Sequence, residues 1–311
     1  MANLIDIKNP EWLRDEELRE QLLAFDGDAD IRVAADPGNL AEIDMITVST
    51  YIPGEALRYP NLKLIQKTGA GVNNILVDER LPATVEVARL EAATSGNEMA
   101  EFALSYVLQQ QRHLREYHAQ QAESLWLGYA PRVSSRTRVA ILGLGRIGEI
   151  VAQRFIDNRF LVSGWSRSAK QIAGVDCYHG DEGLLQLLAD ADYIVCVLPS
   201  TPETRGFMGR QTFQRCKPSA LLINMGRGDL VNEAELMQAL DDGLLAGAVL
   251  DVVSEEPLPP QHPLWLHPKI QITPHVSGYH LGDAIAGIAE NYQRLQSGEP
   301  LVNLVDRKRG Y

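Results

Sequence analysis

An apolar run, RVAIL (138–142), leads straight into GLGRIG (143–148) and then into a helical pattern, EIVAQRF (149–155). A β-branched run, a glycine turn and a helix in that order leave a chain few choices of fold. Gly143 permits the tight turn, Gly145 lets the backbone approach a pyrophosphate, and Gly148 lets the helix pack closely on the strand. The helix would open with free N–H groups and the positive end of its dipole, where phosphate is favoured. The spacing therefore predicts a dinucleotide site on a strand–turn–helix unit, with Arg146 as a further phosphate contact.

Other short apolar runs surround this unit. FLVSGW (160–165), YIVCVL (193–198), ALLIN (220–224), GAVLD (247–251) and IQI (270–272) follow it, separated by helical patterns such as EAELMQALDDG (233–243). With RVAIL they make six predicted strands of a doubly wound parallel sheet. An earlier series, IRVA (31–34), MITVS (45–49), LKLIQ (62–66) and VEV (85–87), alternates in the same way. Between the series, the segment from Asn97 to Trp126 has no Gly or Pro inside its helical pattern after Gly96 and reads as one long helix capped by the Thr94–Asn97 stretch. A final helix is predicted over about 281–297. The 311 residues suggest two α/β domains: 1–97 with 281–311, and a cofactor domain, 98–280, inserted between them, with hinges at the two crossings.

Composition narrows the partners. A net charge of −12 argues against a nucleic-acid footprint. Cys177, Cys196 and Cys216 have no ligand spacing, which predicts buried thiols in a reducing compartment and no metal site. His262 and His267 read as loop-packing residues. No apolar run is long enough for a membrane span and no leader pattern is visible, so the expectation is a cytoplasmic protein with no membrane partner.

The cofactor is read from GWSRS (164–168). An NAD site places an acid about 20 residues beyond the glycine motif, on the ribose 2′-OH. Arg167 stands there instead, between Ser166 and Ser168. A guanidinium and two hydroxyls suit a 2′-phosphate, so NADPH is the preferred cofactor, with NADH possible.

Three polar residues follow the ends of predicted strands, where ligands of such sheets bind. They are Arg227 in NMGRG, Glu256 in LDVVSEEP and His275 in TPH; Asp251 also stands at a strand end. Reducing a carbonyl requires a proton on oxygen, and histidine, with an ordinary pKa of about 6.5, is suited to give it. A carboxylate such as Glu256 would hold its tautomer. The Arg227 guanidinium could clamp a carboxylate and polarise the adjacent carbonyl of a 2-oxo acid.

GLGRIG, NMGRG, LDVVSEEP and TPH occur in the order and approximate spacing of the D-isomer-specific 2-hydroxyacid dehydrogenases, which the chain resembles over essentially its full length. The resemblance implies a Rossmann cofactor domain within a flavodoxin-like substrate domain, and a homodimer. It implies that Arg227 binds substrate, that Glu256 pairs with the proton donor His275, and that Asp251 lies near the nicotinamide carboxamide. KTGAGVNN (67–74) is similar to the family's substrate loop, implying that the Ala70 and Gly71 amides hold the substrate carboxylate. TPETRG (201–206) is similar to a cofactor-side loop; with Ile147, Leu198, Pro199 and Met225, Thr204 is expected at the cofactor. Trp126 is a candidate wall of the substrate site, or packing between domains. WSRS, EPLPPQHPLWLHP and VDRKRGY are similar to an NADPH-preferring branch that reduces glyoxylate to glycolate and hydroxypyruvate to D-glycerate. VSTYIPG (48–54) departs from that branch, which carries Trp-His before the proline; Ser277 and Asn73 depart from common family residues. Two alternatives remain. One is a dehydrogenase for another substrate, D-lactate-like or 3-phosphoglycerate, and the other is a dinucleotide-sensing scaffold akin to corepressors of this fold.

Overall fold

The computed structural model describes residues 1–90 and 93–307. Two compact units emerge: Met1–Thr94 with His280–Tyr311, and Ser95–Tyr279.

The first unit is a five-stranded sheet: β1 (Ala2–Asp6), β2 (Ile31–Val33), β3 (Ile43–Val48), β4 (Leu64–Lys67) and β5 (Glu86–Ala88). Every pairing is parallel and the order β2-β1-β3-β4-β5 is that of flavodoxin. Parallel strands bury both faces, so successive residues feed different cores. Leu4, Ile46 and Ile65 enter one, whereas Ile5, Met45 and Leu64 enter the other. The helix Ala284–Ser297 supplies Ile288 and Tyr292 to the second core. Its Asn291 Nδ2 donates to the buried Gln66 Oε1 at 2.8 Å, and Val305 N donates to Val87 O at 2.8 Å. The last part of the described chain thus closes the edge of the sheet begun by the first.

β1 was not expected from sequence. ANLID is wholly buried but carries Asn and Asp, so its apolar alternation is masked; Asn3 is accommodated by a bond from Thr47 Oγ1 at 2.9 Å.

The second unit holds seven parallel strands: β6 (Arg138–Leu142), β7 (Leu161–Ser166), β8 (Val175–His179), β9 (Tyr193–Cys196), β10 (Leu221–Asn224), β11 (Gly247–Leu250) and β12 (Ile270–Ile272). The order β12-β11-β10-β9-β6-β7-β8 is the doubly wound dinucleotide arrangement with one strand added. Val139, Ile141, Val195 and Ile223 fill one face; Ala140, Leu142, Ile194 and Leu222 fill the other. The strand missed in the sequence is β8, VDCYH, an edge strand only partly buried and therefore without a strong apolar pattern. The strand order reverses between β6 and β9, which puts the binding crevice at their carboxyl ends.

The expected single long helix is two, Ala93–Gln111 and Leu114–Ala122. His113 breaks it, with φ of 57° in the left-handed region. Its ring lies 5.2 Å from that of Tyr129, and Gln111 Nε2 donates to Arg132 O at 2.7 Å. Tertiary contacts, not a local breaker residue, make the turn. The first helix also starts before the expected cap: the Asp283 carboxylate accepts from Ala93 N at 3.1 Å and Thr94 N at 2.9 Å. No helix among the described residues is long and apolar enough to cross a membrane.

Candidate active site

The glycine loop has the form its spacing predicted. Gly143 has φ of 105°. A Cβ on Gly148 would lie 1.8 Å from the Gly143 carbonyl oxygen, so only hydrogen lets the helix Arg146–Asp157 sit this close to its strand. A Cβ on Gly145 would meet nothing within 4 Å. That open space at a helix N-terminus is what an approaching pyrophosphate requires, and the cradle fits a dinucleotide. Ile147 is half-buried in the first turn and Arg146 is exposed beside it.

The next strand end across the switch point borders the same loop. A Cβ on Gly143 would be 3.2 Å from Leu198 N. Leu198 is buried and Pro199 exposed. Thr204 Oγ1 donates to Pro199 O at 2.7 Å and accepts from Thr201 N at 2.8 Å, fixing the TPETRG loop. Met225, after β10, is buried in the core beneath the loop.

Ser166 ends β7 and Arg167 and Ser168 follow it, with Ser166 half-buried and the other two exposed. Ser166 Oγ donates to Ser168 O at 2.8 Å, so one expected hydroxyl shapes the turn. The Glu203 carboxyl is held below the usual carboxylate range, first by the Thr201 hydroxyl, with Arg167 adding to the effect.

The three expected catalytic residues are assembled by one packing device. A Cβ on Gly228 would lie 1.9 Å from the Val253 carbonyl carbon, so NMGRG seats directly on LDVVSEEP. Asn224 braces the loop, accepting from Gly226 N at 3.2 Å and donating to Arg227 O at 2.9 Å. Arg227 is half-buried; burial pulls its pKa below the ordinary guanidinium value against the opposing charges of Glu256 and Asp229. Glu256 Oε2 meets His275 Nδ1 at 2.8 Å, and its Oε1 accepts from Val253 N at 3.2 Å. Burial pushes the Glu256 carboxyl up, but its His275 contact, the Val253 N–H and the Arg227 charge together hold it below its ordinary value.

His275 stands at φ of 57°, a conformation that needs support from its surroundings. Asp251 supplies it. Its buried carboxylate accepts from Thr273 Oγ1 at 2.6 Å, Val276 N at 2.9 Å and Ser277 N at 2.9 Å, and its carbonyl accepts from His275 N at 2.8 Å. Asp251, which the family resemblance implies near the carboxamide, holds the histidine turn in this structure. Ser277, the departure from common family residues, joins through its backbone. Sequence reading passed over Asn224, Gly228, Thr273 and Glu233, whose Oε1 accepts from Ser254 N at 2.7 Å. A polar residue closing an otherwise apolar strand was the available signal for Asn224.

In the first unit, Ala70 and Gly71 follow β4 at the sheet's carboxyl edge. The neighbouring 49–54 loop is pinned. Tyr51 OH donates to Asp78 at 2.9 Å, Asn74 Nδ2 donates to Tyr51 O at 3.3 Å, and Lys67 Nζ donates to Ser49 O. Trp126, expected as a wall or as packing, is fully exposed. His262 and His267 face Glu233 at 3.7 Å and Asp241 at 3.5 Å. The terminal RKRGY lies outside the described residues except Arg307, whose guanidinium donates to Pro82 O.

A nucleotide-cradling sheet beside an Arg–Glu–His cluster defines a dehydrogenase of the 2-hydroxyacid type, and the chain belongs to the D-isomer-specific 2-hydroxyacid dehydrogenase family. Residues 104–277 match that family's NAD-binding domain. Glyoxylate/hydroxypyruvate reductase A of Photorhabdus laumondii is 41% identical over 256 residues, 80% of this chain and 82% of that protein. A D-isomer-specific 2-hydroxyacid dehydrogenase from Xanthobacter autotrophicus, solved with NADPH and MES, superposes with a TM-score of 0.92 at 36% identity, covering 100% of this chain and 99% of that one. The NADPH-dependent glyoxylate/hydroxypyruvate reductase of Sinorhizobium meliloti, solved with NADP and sulfate, gives 0.90 at 32% identity over 100% and 99%.

Proposed function

We propose that this enzyme is an NADPH-dependent reductase of small 2-oxo acids, with glyoxylate and hydroxypyruvate as its substrates and glycolate and D-glycerate as products. The observation that carries the reading is the 2.8 Å contact between His275 Nδ1 and Glu256 Oε2, set beside Arg227. With Nδ1–H directed at the carboxylate, Nε2 is the nitrogen that presents a proton outward. Held at the glycine loop of Gly143, Gly145 and Gly148, NADPH would supply the hydride that the carbonyl carbon takes up. His275 gives the Nε2 proton to the carbonyl oxygen, and Glu256 steadies the imidazolium before that transfer. Arg227 binds the substrate's carboxylate and draws charge from the adjacent carbonyl. The Ala70 and Gly71 amides are the proposed further donors to that carboxylate. Arg167 with Ser166 and Ser168 receives the 2′-phosphate, a reading supported by the absence of an acid at the end of β7.

An initial-rate panel tests this, crossing NADPH and NADH with glyoxylate, hydroxypyruvate, pyruvate and phosphohydroxypyruvate. The expected ranking puts NADPH above NADH and the first two acids above the others. No turnover with any 2-oxo acid would remove the enzymatic reading in favour of dinucleotide sensing.

A further inference from the structure

The carboxyl end of β7 lies directly against the glycine loop. Gly143 N donates to Trp165 O at 2.9 Å, and a Cβ on Gly164 would lie 2.4 Å from Leu144 Cδ2. Beyond the Ser166–Ser168 turn, Lys170 reaches across the gap. Its Nζ donates to the carbonyl of Leu144, the residue between the first two glycines, and meets Glu149 Oε1 at 2.9 Å. Glu149 belongs to the first turn of the glycine-loop helix. The site proposed for a 2′-phosphate thus has two cations on one short segment, Arg167 and Lys170, and the second has an acid facing it, Glu149.

We propose that Lys170 is the second cation of the 2′-phosphate site and that Glu149 sets its strength by competing for the ammonium. The inference rests on the NADPH reading above and adds to it a second charge and an opposing one. A planar guanidinium binds a phosphate through its fork, whereas an ammonium acts as a movable point charge. Lys170 is suited to the second role because its contact with Glu149 is partly exposed, the kind of weak pair readily exchanged for a stronger anion. Its bond to the Leu144 carbonyl keeps the ammonium at the glycine loop. Glu149, by contrast, repels a phosphate arriving there. Removing the lysine and removing the glutamate therefore act in opposite directions.

The test is calorimetric binding of adenosine 2′,5′-bisphosphate and of AMP, which lacks only the 2′-phosphate, to the full chain. Lys170→Met is expected to weaken the bisphosphate by about tenfold, the ordinary worth of one charge-assisted contact, with AMP nearly unchanged. Lys170→Arg restores most of the loss. Glu149→Gln tightens the bisphosphate by about twofold to threefold and again spares AMP. If Lys170→Met weakens both ligands alike, the lysine merely braces the glycine loop and the proposal is overturned. It is also overturned if bisphosphate affinity stays unchanged in that variant while the unsubstituted protein still favours bisphosphate over AMP. An unsubstituted protein that does not distinguish the two ligands would overturn the NADPH reading itself.

Discussion

The turn around His275 and the turn around Arg167 both follow strands of one sheet, yet they are built in opposite ways. At His275 a buried carboxylate takes three donors, a glycine lets two loops touch, and a left-handed residue is held in place. At Arg167 one serine shapes the chain, and the remaining chemistry is carried by exposed side chains. Proton transfer requires a group held in a fixed position, because rate depends steeply on geometry. Choosing between two cofactors that differ by one phosphate requires only charge nearby. The first kind of site resists substitution without loss; the second can be re-aimed by one or two residues.

The largest effect should come from the ordered side. His275→Ala is expected to lower kcat by about 10²–10⁴, the usual worth of a positioned general acid, with NADPH affinity retained. A loss below tenfold in steady-state reduction of glyoxylate would remove His275 from proton transfer. Next comes the exposed side: Arg167→Asp should move the NADPH-to-NADH ratio of kcat/KM by about ten- to a hundredfold while the melting temperature stays put. An unchanged ratio would break the contrast.

Asp251→Asn then asks whether the buried carboxylate carries the histidine turn. With an amide donor facing backbone donors, the protein should lose about 1–3 kcal/mol in denaturant unfolding. A stability equal to the unsubstituted protein's would return Asp251 to a purely cofactor-facing role.

The smallest effect concerns pH. A carboxyl whose folded pKa lies below its unfolded value adds stability that is complete above the unfolded value, about 4.3 for Glu. That stability is lost as pH falls through the folded value. Glu256 is such a group. Melting curves of the unsubstituted protein and Glu256→Gln should therefore differ at pH 7 and converge as the pH drops below about 4. Because Glu256 is partly exposed, the difference should be a small one. A gap that widens in acid would reverse the sign of the Glu256–His275 contact.

Much of this was legible in the chain. RVAIL and IQI are strands at their expected residues, since buried parallel strands are apolar on both faces. The glycine motif was legible because each glycine answers a separate steric demand. Illegibility has equally physical causes. ANLID hides a strand because Asn3 and Asp6 interrupt its apolar pattern, and the Thr47 hydroxyl that meets Asn3 Oδ1 lies far away in sequence. The break at His113 is made by Tyr129 and Arg132, which no local pattern anticipates. Lys170 escaped for a related reason, and so did the bonds that Asp251 makes: a carboxylate or an ammonium on a loop does not announce which atoms it will meet.

The helix Ala284–Ser297 has a consequence for biosynthesis. β1 to β5 leave the ribosome early, but Ile288, Tyr292 and Val305, which complete their cores and close their edge, are made after the entire dinucleotide sheet. Domains generally fold as units during synthesis, earlier ones first, and contacts across long stretches of chain are slow to form. Here the order is inverted: the inserted unit has all its strands before the unit that begins the chain has its last helix. A nascent chain stalled near residue 280 would hold a finished nucleotide sheet and an unfinished neighbour with an apolar face still waiting for cover.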